Sequence, residues 1–497
     1  MRKLVILRGV PASGKSTLLE NLDLLPFTIS FDTLRMLKNG LFLNVDGNLV
    51  IPEPERHDVK DFYEKSTNLI LERMKKGQFI VLDNTNLVER DLKTIKKAAE
   101  EYRYQVYEVD MTRGISFEEL LARDSLRAIH KQVGYDCIAR MYLKYEKMNA
   151  LKWAQPVAKE NVESEILSTE NLITDVSSYK KVRIYGDIHS CYTVLKNSLE
   201  DFSPDTLYVF CGDYLERGIE DIETLDYLMN LSKKSNCIFL EGNHEKYLME
   251  YASDETITSH HFSREVAPKL DASYLSKKDM RQFYRKLRKM LYLKIGEQKI
   301  LVTHGGLPNV PARLPLVPES QIIRGVGDYN TDIDELFNKN LKESNVYQVH
   351  GHRNLFKHDV IVGNSINLEG KVEDGLYLRA VEFDGFSITP LEFKNTVFDI
   401  SRILEKVTED MTVEQFVKAL ESNDYVRKVH LYGDVYAFNF TSTAFYDGVW
   451  NDLSIRSRGL HIDTKENKII ARGFDKFFND TEYDISDLFE GSEDHER

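Results

Sequence analysis

Short apolar runs alternate with amphipathic stretches over residues 1–160. Apolar runs at Lys3–Leu7, Phe79–Leu82 and Tyr104–Val109 predict strands, and amphipathic stretches from about Ser16 and over Glu89–Glu101 predict helices. Strands that alternate with helices in this way favour a parallel sheet with helical crossovers. Residues 1–160 are therefore predicted to form one α/β domain.

Two further segments follow this domain. Residues 161–180 begin polar and without a pattern, which predicts a linker. From Val182 a second series of strand-like runs continues to about Phe393, which predicts a second α/β domain over 181–395.

Residues 400–497 are predicted to form a small α+β module. Thr412 and Gln415 have the spacing of a capping box, which predicts a helix over Val413–Ser422. Apolar alternation then predicts a strand within Val429–Phe440 and another over Lys468–Phe474.

Composition limits the classes of protein that fit this pattern. Hydrophobic residues make up 42% of 497 and charged residues 29%, with 26 glycines and 12 prolines, which excludes collagen-like and long disordered chains. The net charge of −14 argues against a protein that coats polyanions, but the stretch 480–497 alone holds eight of the acidic side chains. Local basic grooves elsewhere therefore remain compatible with nucleic acid.

Cysteine usage and hydropathy predict the compartment. The four cysteines show no CxxC or zinc-finger spacing, which is typical of a reduced chain. The first apolar run is too short for a signal peptide, and no run approaches the length of a membrane span. We therefore expect a cytoplasmic protein without membrane contact.

A phosphate-binding motif opens the first domain. The run GVPASGKST follows a predicted strand and begins a predicted helix, and it places Gly9, Gly14, Lys15, Ser16 and Thr17 in the pattern GxxxxGKS. The glycines let backbone N–H groups surround phosphate oxygens at a helix N-terminus. Lys15 is expected to reach the β- and γ-phosphates of ATP, and Ser16 to hold Mg²⁺.

Further charged residues suggest the phosphate acceptor. Asp32 can take a proton from an attacking hydroxyl, and Arg35, one helical turn later, can bind an acceptor phosphate. Arg123 and Arg127 lie four residues apart, which predicts one helix face and a lid over ATP, although a solvated face is the alternative. The run Asp83–Asn86 follows a predicted strand in a Walker-B-like position.

Taken in order, GxPxSGKST, DxxR, DxTN and RxSxR resemble the 5′-hydroxyl polynucleotide kinase module. The resemblance covers most of residues 1–150. It implies that Asp32 is the general base, that Arg35 contacts the acceptor's phosphate, and that Arg123 and Arg127 close over ATP.

In the second domain, five strand-like runs each end in metal-binding residue types beside glycine. The residues at these ends are Asp187 and His189, Asp213, Asn243 and His244, His304, and His350 and His352. Because strand ends at one sheet edge converge, the set predicts a site for two divalent transition ions such as manganese.

The order of these motifs resembles the binuclear metallophosphoesterase (calcineurin-like) superfamily over about residues 181–395. The resemblance implies that Asp213 bridges two ions, with His244 acting on the leaving oxygen or the phosphate and Arg217 binding phosphoryl oxygens. The implied ligands of one ion are Asp187, His189, Asp213 and His352. Those of the other are Asp213, Asn243, His304 and His350.

The chain departs from the superfamily pattern at two carboxylates. Glu216 stands where aspartate is usual, so its longer side chain is expected to alter contacts to Arg217 or His244. Glu241 stands where protein serine/threonine phosphatases carry a phosphate-binding arginine. We expect Glu241 to repel phosphate, which argues against a protein phosphatase.

The C-terminal module resembles the front part of a phage-type RNA ligase. Ser457–Leu460 and Ile470–Asn479 resemble the segment before the nucleophilic lysine of that family, but no lysine follows Lys476. The similar string Phe445–Gly448 has phenylalanine in place of that lysine, so it cannot form a lysyl–AMP adduct. The alternative is an unrelated small α/β module.

These features lead to three hypotheses. The first is an end-healing enzyme for broken RNA, or DNA, that phosphorylates 5′-hydroxyl ends and removes 3′-phosphates or 2′,3′-cyclic phosphates. The second is a small-molecule kinase fused to a protein or dinucleotide-polyphosphate phosphatase. The third treats the C-terminal piece as a docking module for nucleic acid or a separate ligase chain. The sequence does not decide whether RNA or DNA is the substrate, which metals the phosphoesterase site binds, or whether the chain forms a homo-oligomer.

Overall fold

The structure of the chain is a computed structural model. It describes residues 1–45, 47–51, 58–328, 331–353 and 359–397, and beyond these 415, 417–418, 426–432, 435–440, 457–463, 465, 468–473 and 481–484. The described chain divides into two compact units. One consists of Met1–Ile173 with Val310–Gln321, and the other of Thr174–Asn309 with Ile322–Arg497.

The first unit is built on a parallel sheet. Its strands are β1 (Lys3–Arg8), β2 (Thr28–Ile29), β5 (Ile80–Asp83), β6 (Gln105–Asp110) and β7 (Gln155–Pro156), in the order β2-β5-β1-β6-β7, while β3 (Phe42–Leu43) and β4 (Leu49–Val50) form a separate hairpin. Its helices are α1 (Lys15–Asn21), α2 (Phe31–Asn39), α3 (Asp58–Lys75), α4 (Lys93–Glu101), α5 (Phe117–Ser125) and α6 (Gly134–Tyr145). The predicted parallel α/β domain is confirmed.

Both faces of this sheet are covered. Leu4 and Ile6 of β1 pack into one apolar cluster, and Val5 and Leu7, which point to the opposite face, pack into another. A strand buried on both faces reads as a continuous apolar run, which is why the sequence predicts it so clearly.

The segment predicted as a linker over 161–180 is folded in this structure. A π-helical turn, Val162–Leu167, buries Val162, Ile166 and Leu167 within the second apolar cluster of the first unit. Nζ of Lys3 donates a hydrogen bond to the carbonyl of Ile166 at 2.7 Å. The sequence missed this because the buried positions follow neither the period of an α-helix nor that of a strand.

Two sheets are built from the strands between Ile173 and Lys394. One has the order β11-β10-β9-β17-β18 and the other β15-β16-β14-β13-β12-β8. The strands are β8 (Ile173–Asp175), β9 (Lys181–Tyr185), β10 (Thr206–Phe210), β11 (Cys237–Phe239), β12 (Met290–Ile295), β13 (Gln298–Thr303), β14 (Val346–His350), β15 (Ile361–Val362), β16 (Ser365–Asn367), β17 (Tyr377–Phe383) and β18 (Ile388–Lys394).

The two sheets share one apolar core. That cluster joins Val182 and Ile184 of β9 to Leu293 of β12 and Val302 of β13. A second cluster covers the other face of the first sheet with helices. The helices that follow residue 190 are α7 (Tyr192–Ser198), α8 (Asp221–Leu231), α9 (Glu245–Ala252), α10 (Ala267–Ala272), α11 (Lys277–Lys286), α12 (Glu319–Arg324) and α13 (Ile333–Asn340).

The C-terminal strands form an antiparallel sheet in sequence order. They are β19 (Val426–Tyr432), β20 (Val435–Phe440), β21 (Ser457–Asp463), β22 (Lys468–Gly473) and β23 (Thr481–Asp484). The run predicted as one strand within Val429–Phe440 belongs to two paired strands, β19 and β20.

Other predictions for the C-terminal module lie largely or wholly outside the described residues. Within the predicted helix Val413–Ser422, only Gln415, Val417 and Lys418 are described, and they are helical. The string Phe445–Gly448 and Lys476 lie outside the described part of the chain.

Candidate active sites

The first candidate site is the loop between β1 and α1. Gly14 precedes α1 with a φ of +90°, a left-handed conformation that glycine adopts without strain. A Cβ on Gly9 would lie 2.8 Å from Oγ of Ser13, so this close approach requires glycine. Nζ of Lys15 donates hydrogen bonds to the carbonyls of Gly9 and Val10 at 3.0 and 3.1 Å. The loop forms a tight cradle suited to phosphate.

Lys15, Ser16 and Thr17 form the start of α1. Three charged side chains influence the pKa of Lys15. Burial lowers the pKa of Lys15 to about 8, Asp83 and Asp32 oppose this shift, and Arg127 reinforces it. The structure therefore brings the predicted residues Asp32 and Arg127 within electrostatic reach of Lys15.

The run after β5 connects the cradle to α2. Oδ1 of Asn84 accepts a hydrogen bond from the N–H of Phe31 at 3.0 Å, at the start of α2. Nδ2 of Asn86 donates to the carbonyl of Leu7 at 2.8 Å, and the N–H of Gly9 donates to the carbonyl of Thr85 at 3.0 Å. These contacts give the DxTN run a role that its sequence position did not reveal, which is to fix the cradle against the helix that carries Asp32.

The two predicted acceptor residues face each other on α2. Nη1 of Arg35 lies 3.4 Å from Oδ1 of Asp32, and the guanidinium lies over the ring of Phe62 at 5.8 Å from its centroid. Asp32 remains 65% exposed at its side chain, so it is open to an incoming hydroxyl. The ring of Phe62 thereby helps to hold the Arg35 guanidinium beside Asp32.

The predicted lid arginines do not share a helix face. Helix α5 ends at Ser125, so Arg123 lies on the helix and Arg127 beyond it. Arg123 pairs with Glu119 at 2.6 Å, and Arg127 pairs with the buried Asp124 at 3.0 Å. Arg127 is among the charges with the largest effect on Lys15.

The second candidate site lies at strand ends of the second unit and centres on Asp213. Oδ2 of Asp213 lies 3.2 Å from Nε2 of His304, 3.8 Å from Nε2 of His189 and 4.0 Å from Nδ1 of His352. Oδ1 of Asn243 lies 3.2 Å from the same Nε2 of His304. Asp213 and four other predicted ligands thus form one group, with the buried carboxylate of Asp213 at its centre.

A sixth predicted ligand, Asp187, lies beside this group. Its Oδ1 is 3.8 Å from Nδ1 of His304, and its Oδ2 accepts a hydrogen bond from the N–H of His352 at 3.2 Å. A Cβ on Gly351 would lie 2.1 Å from that Oδ1, so glycine is required for the strand end to pass.

The donor set fits divalent cations. Among the described residues, Oδ1 of Asp187 and Nε2 of His189 are buried polar atoms without a hydrogen bond. Burial and the nearby Glu369 raise the pKa of Asp187, whereas His304 and the other imidazoles outweigh burial and lower the pKa of Asp213. Buried carboxylates and aimed nitrogens without partners are costly unless a cation joins them.

His350 is not part of this cluster, which corrects the predicted ligand set. Its Nε2 lies 2.9 Å from Oδ1 of Asp334 and its Nδ1 3.0 Å from the carbonyl of Gly351. His352 lies beside Asp213 and His304, and its backbone N–H also donates to Oδ2 of Asp187, with which it is predicted to share an ion. A φ of +58° at His352 turns the chain, so the two histidines do not share a face as i and i+2 would in a strand.

Arg217 lies beside the cluster and is held by an acid that the motifs did not reveal. Nη1 of Arg217 donates to Oε1 of the buried Glu373 at 3.0 Å, and the arginine side chain is 38% exposed. Burial disfavours its charge, but Glu373 and Asp213 outweigh it and raise the pKa of Arg217. Glu369 and Glu373 follow β16, in a run without the glycine–histidine pattern used to find the other residues.

His244 directly precedes α9 and pairs with Glu216. Its Nδ1 is hydrogen-bonded to Oε2 of Glu216, and its Nε2 lies 3.8 Å from Oδ2 of Asp213. Burial opposes protonation, but Asp213 and Glu216 outweigh it and raise the pKa of His244. The imidazole is thereby suited to donate a proton beside the cluster.

Glu241 is paired with Lys289. Its Oε2 pairs with Nζ of Lys289 at 2.6 Å, and its Oε1 accepts from the hydroxyl of Tyr284 at 2.9 Å. Because the half-buried Lys289 compensates the charge of this carboxylate, the structure does not support the expectation that Glu241 repels phosphate.

Within the part of the chain that the structure describes, no helix combines the length and apolar character needed to cross a bilayer. The four cysteines, at positions 137, 191, 211 and 237, are free thiols.

Comparison with known proteins agrees with the two sites. Residues 180–381 match the calcineurin-like phosphoesterase family and residues 4–145 match an AAA domain family. A probable serine/threonine-protein phosphatase of Encephalitozoon cuniculi is 31% identical over 176 residues, which are 35% of this chain and 36% of that protein. A PP2A-like serine/threonine-protein phosphatase of Candida albicans is 33% identical over 157 residues, 29% of this chain and 33% of that protein. The chain spans about a third of the length of these curated relatives.

Solved structures give weaker likenesses. A protein serine/threonine phosphatase from Saccharomyces cerevisiae is 16% identical with a TM-score of 0.31, covering 45% of this chain and 83% of that one. A metallophosphoesterase from Sphaerobacter thermophilus is 15% identical with a TM-score of 0.30, covering 48% of this chain and 98% of that one. On the evidence of its sites and of the family matches, the chain combines a calcineurin-like metallophosphoesterase domain with a kinase-like P-loop domain.

Proposed function

We propose that the protein heals broken nucleic-acid ends, by phosphorylating 5′-hydroxyl ends with ATP and by removing 3′-phosphates or 2′,3′-cyclic phosphates. The observation that carries the proposal is the group formed by Lys15, Asp32 and Arg127, with Arg35 next to Asp32. This group places the phosphate cradle at Lys15 near an exposed base, Asp32, and near a cation, Arg35, that can bind a phosphorylated acceptor. A break that leaves a 5′-hydroxyl and a 3′-phosphate needs one activity at each end.

In the kinase reaction, the chain's own residues position charges. Asp32 accepts the proton of the attacking hydroxyl, and Arg35 binds the phosphate that follows the first nucleoside of the acceptor. Lys15 and Arg127 neutralise the ATP phosphates as charge develops on the transferred group. Ser16 is the residue that would hold Mg²⁺.

In the phosphoesterase reaction, Asp187, His189, Asp213, Asn243, His304 and His352 would hold two divalent ions. When bound, such ions supply Lewis-acid activation of water and of the phosphoryl oxygens. Arg217, held by Glu373, orients the phosphoryl group. His244 donates a proton to the leaving oxygen, with Glu216 holding its Nδ1.

Two assays test the proposal on the full-length protein. Labelled phosphate should pass from ATP to 5′-hydroxyl RNA or DNA oligonucleotides, and Asp32→Asn should abolish this while leaving phosphate release from 3′-phosphate ends intact. Asp187→Asn should abolish phosphate release from 3′-phosphate ends while leaving phosphate transfer from ATP intact. Absence of transfer by the wild type, or equal transfer by Asp32→Asn, contradicts the kinase half.

A protein phosphatase joined to a small-molecule kinase is the second candidate function. Two observations favour it: the relatives are named as serine/threonine phosphatases, and Lys289 compensates the charge of Glu241. Faster turnover of a phosphopeptide than of a 3′-phosphate oligonucleotide would favour this candidate over end healing.

The C-terminal residues 400–497 enter the proposal as a docking module for nucleic acid or for a separate ligase chain. Their deletion should weaken oligonucleotide binding while turnover of small phosphate esters persists. Unchanged affinity for oligonucleotides would contradict the nucleic-acid form of this proposal.

A further inference from the structure

The carboxylate of Glu216 joins two histidines. Its Oε2 is hydrogen-bonded to Nδ1 of His244. Its Oε1 lies 3.4 Å from Nδ1 of His261, a buried nitrogen that makes no hydrogen bond in the described part of the chain. The same Oε1 accepts a hydrogen bond from Oγ of Ser259 at 3.0 Å. Because Glu216 is only 2% exposed at its side chain, these partners replace water around it.

The extra methylene of Glu216 serves this arrangement. The backbone is left-handed at two consecutive non-glycine residues, with φ of +73° at Glu216 and +69° at Arg217. Such strain persists only where the surrounding structure enforces it, and here it turns the two side chains in different directions. Arg217 pairs with Glu373, while Glu216 extends to the segment that carries Ser259 and His261.

That segment is fixed by packing rather than loosely placed. Phe262 is buried in the main apolar cluster and lies 6.3 Å, ring centroid to centroid, from both Tyr247 and Tyr251. Its N–H donates to Oγ of Ser259 at 3.1 Å, and a π-helical turn, Phe262–Val266, follows directly. Turns of this kind are frequent at functional sites.

We propose that His261 is a positioning residue for phosphoester hydrolysis, acting with Ser259 to fix Glu216 and thereby to orient His244 toward the leaving oxygen. In this step water supplies the new bond to phosphorus and the ester P–O bond breaks. The leaving oxygen takes its electron pair and the proton of His244 Nε2. The neutral imidazole regains a proton as the attacking water releases one to solvent.

The inference concerns the chemistry of the phosphoesterase site, so it holds whether the ester is a nucleic-acid end or another phosphate monoester. Its consequence is a dependence on the leaving group. Esters of aliphatic alcohols need the proton from His244, whereas p-nitrophenol departs readily as an anion. Loss of His261 should therefore slow one class of substrate selectively.

The experiment compares three variants of the full-length, metal-loaded protein on p-nitrophenyl phosphate and glycerol 2-phosphate. His261→Ala should lower kcat on glycerol 2-phosphate about tenfold and on p-nitrophenyl phosphate less than about twofold, with KM nearly unchanged. His261→Asn, whose amide can replace the Nδ1–H, should restore most of the loss. His260→Ala removes the exposed neighbouring histidine and should change neither rate.

A second measurement does not depend on turnover. In the metal-free protein, the Nδ1–H resonance of His244 in ¹H–¹⁵N spectra should move in His261→Ala and in Ser259→Ala but not in His260→Ala. Equal losses on both substrates, no difference between His261→Ala and His260→Ala, or an unmoved His244 resonance would each overturn the inference.

Discussion

Nε2 of His350 lies 2.9 Å from Oδ1 of Asp334, and both side chains are fully buried away from the cluster around Asp213. The ring of His350 also packs against Gly306, where an added Cβ would lie 3.0 Å from it. The histidine is thus a structural neighbour of the His304 strand end, and its ring nitrogens meet Asp334 and the carbonyl of Gly351 rather than Asp213. This relationship separates two histidines that the sequence places two residues apart.

Substitutions of His350 and His352 should distinguish the structural histidine from the metal-binding one. His352→Ala is expected to lower the bound metal from two ions per chain toward one, because it removes an imidazole that lies with Asp213 and His304. His350→Asn should keep both ions and lower the free energy of unfolding by about 2 kcal/mol through the lost buried contact with Asp334. Elemental analysis after dialysis and thermal unfolding measure the two effects. Loss of metal in His350→Asn would contradict the corrected ligand set.

Much of the fold and of the metal centre could be predicted because strand ends and glycines leave a strong sequence signal. Asp187, Asp213 and Asn243 each come shortly after an apolar run and directly after a glycine, so their convergence at sheet edges follows from topology alone. The backbone angle that decides between His350 and His352 leaves no such signal, since in a regular strand both would point the same way.

The predictions for Arg127 and Glu241 also depend on contacts that the local sequence does not reveal. The early end of α5, which removes Arg127 from the helix face of Arg123, is set by tertiary contacts: Asp124 accepts hydrogen bonds from the N–H groups of Val133 and Gly134. The partner of Glu241 is Lys289, far along the chain, so its compensated charge cannot be inferred from the local motif.

The two lid arginines are expected to differ in their effect on kinase activity. Arg127→Ala should lower kcat/KM for phosphate transfer about 100-fold, because Arg127 acts on the charge cluster around Lys15. Arg123→Ala should change it less than about threefold, since Arg123 pairs with Glu119 on an exposed helix face. Steady-state kinetics with ATP and a 5′-hydroxyl oligonucleotide give the comparison. Equal losses in the two variants would show that Arg123 also closes over ATP.

The pair formed by Glu241 and Lys289 should contribute to stability. Lys289→Met removes the cation from a buried carboxylate and is expected to cost about 3 kcal/mol in free energy of unfolding. The double variant Glu241→Gln/Lys289→Met is the matched control and should recover more than half of that loss, because no charge remains buried. Denaturant unfolding measures both. Lys289→Met could instead lower the free energy of unfolding no more than the loss of an exposed ion pair does. That result would contradict the prediction and show that water replaces the lysine beside Glu241.

ATP binding should weaken as pH rises above 8. In the free protein burial lowers the pKa of Lys15 to about 8, and bound phosphates favour its charged form, which raises that pKa. Below pH 8 the lysine is protonated with or without ATP, so affinity is constant. Above pH 8 binding must first take up a proton, and affinity should fall about tenfold per pH unit until the pKa of the bound state is reached. The terminal phosphate of ATP is fully ionised above pH 8, because phosphate monoester groups have a second pKa of about 6. Calorimetry in buffers of different ionisation enthalpy should detect the proton uptake at pH 9, and Lys15→Met should bind weakly with no such uptake. A flat affinity between pH 7.5 and 9.5, to within about twofold, would contradict the assignment of Lys15 to the ATP phosphates.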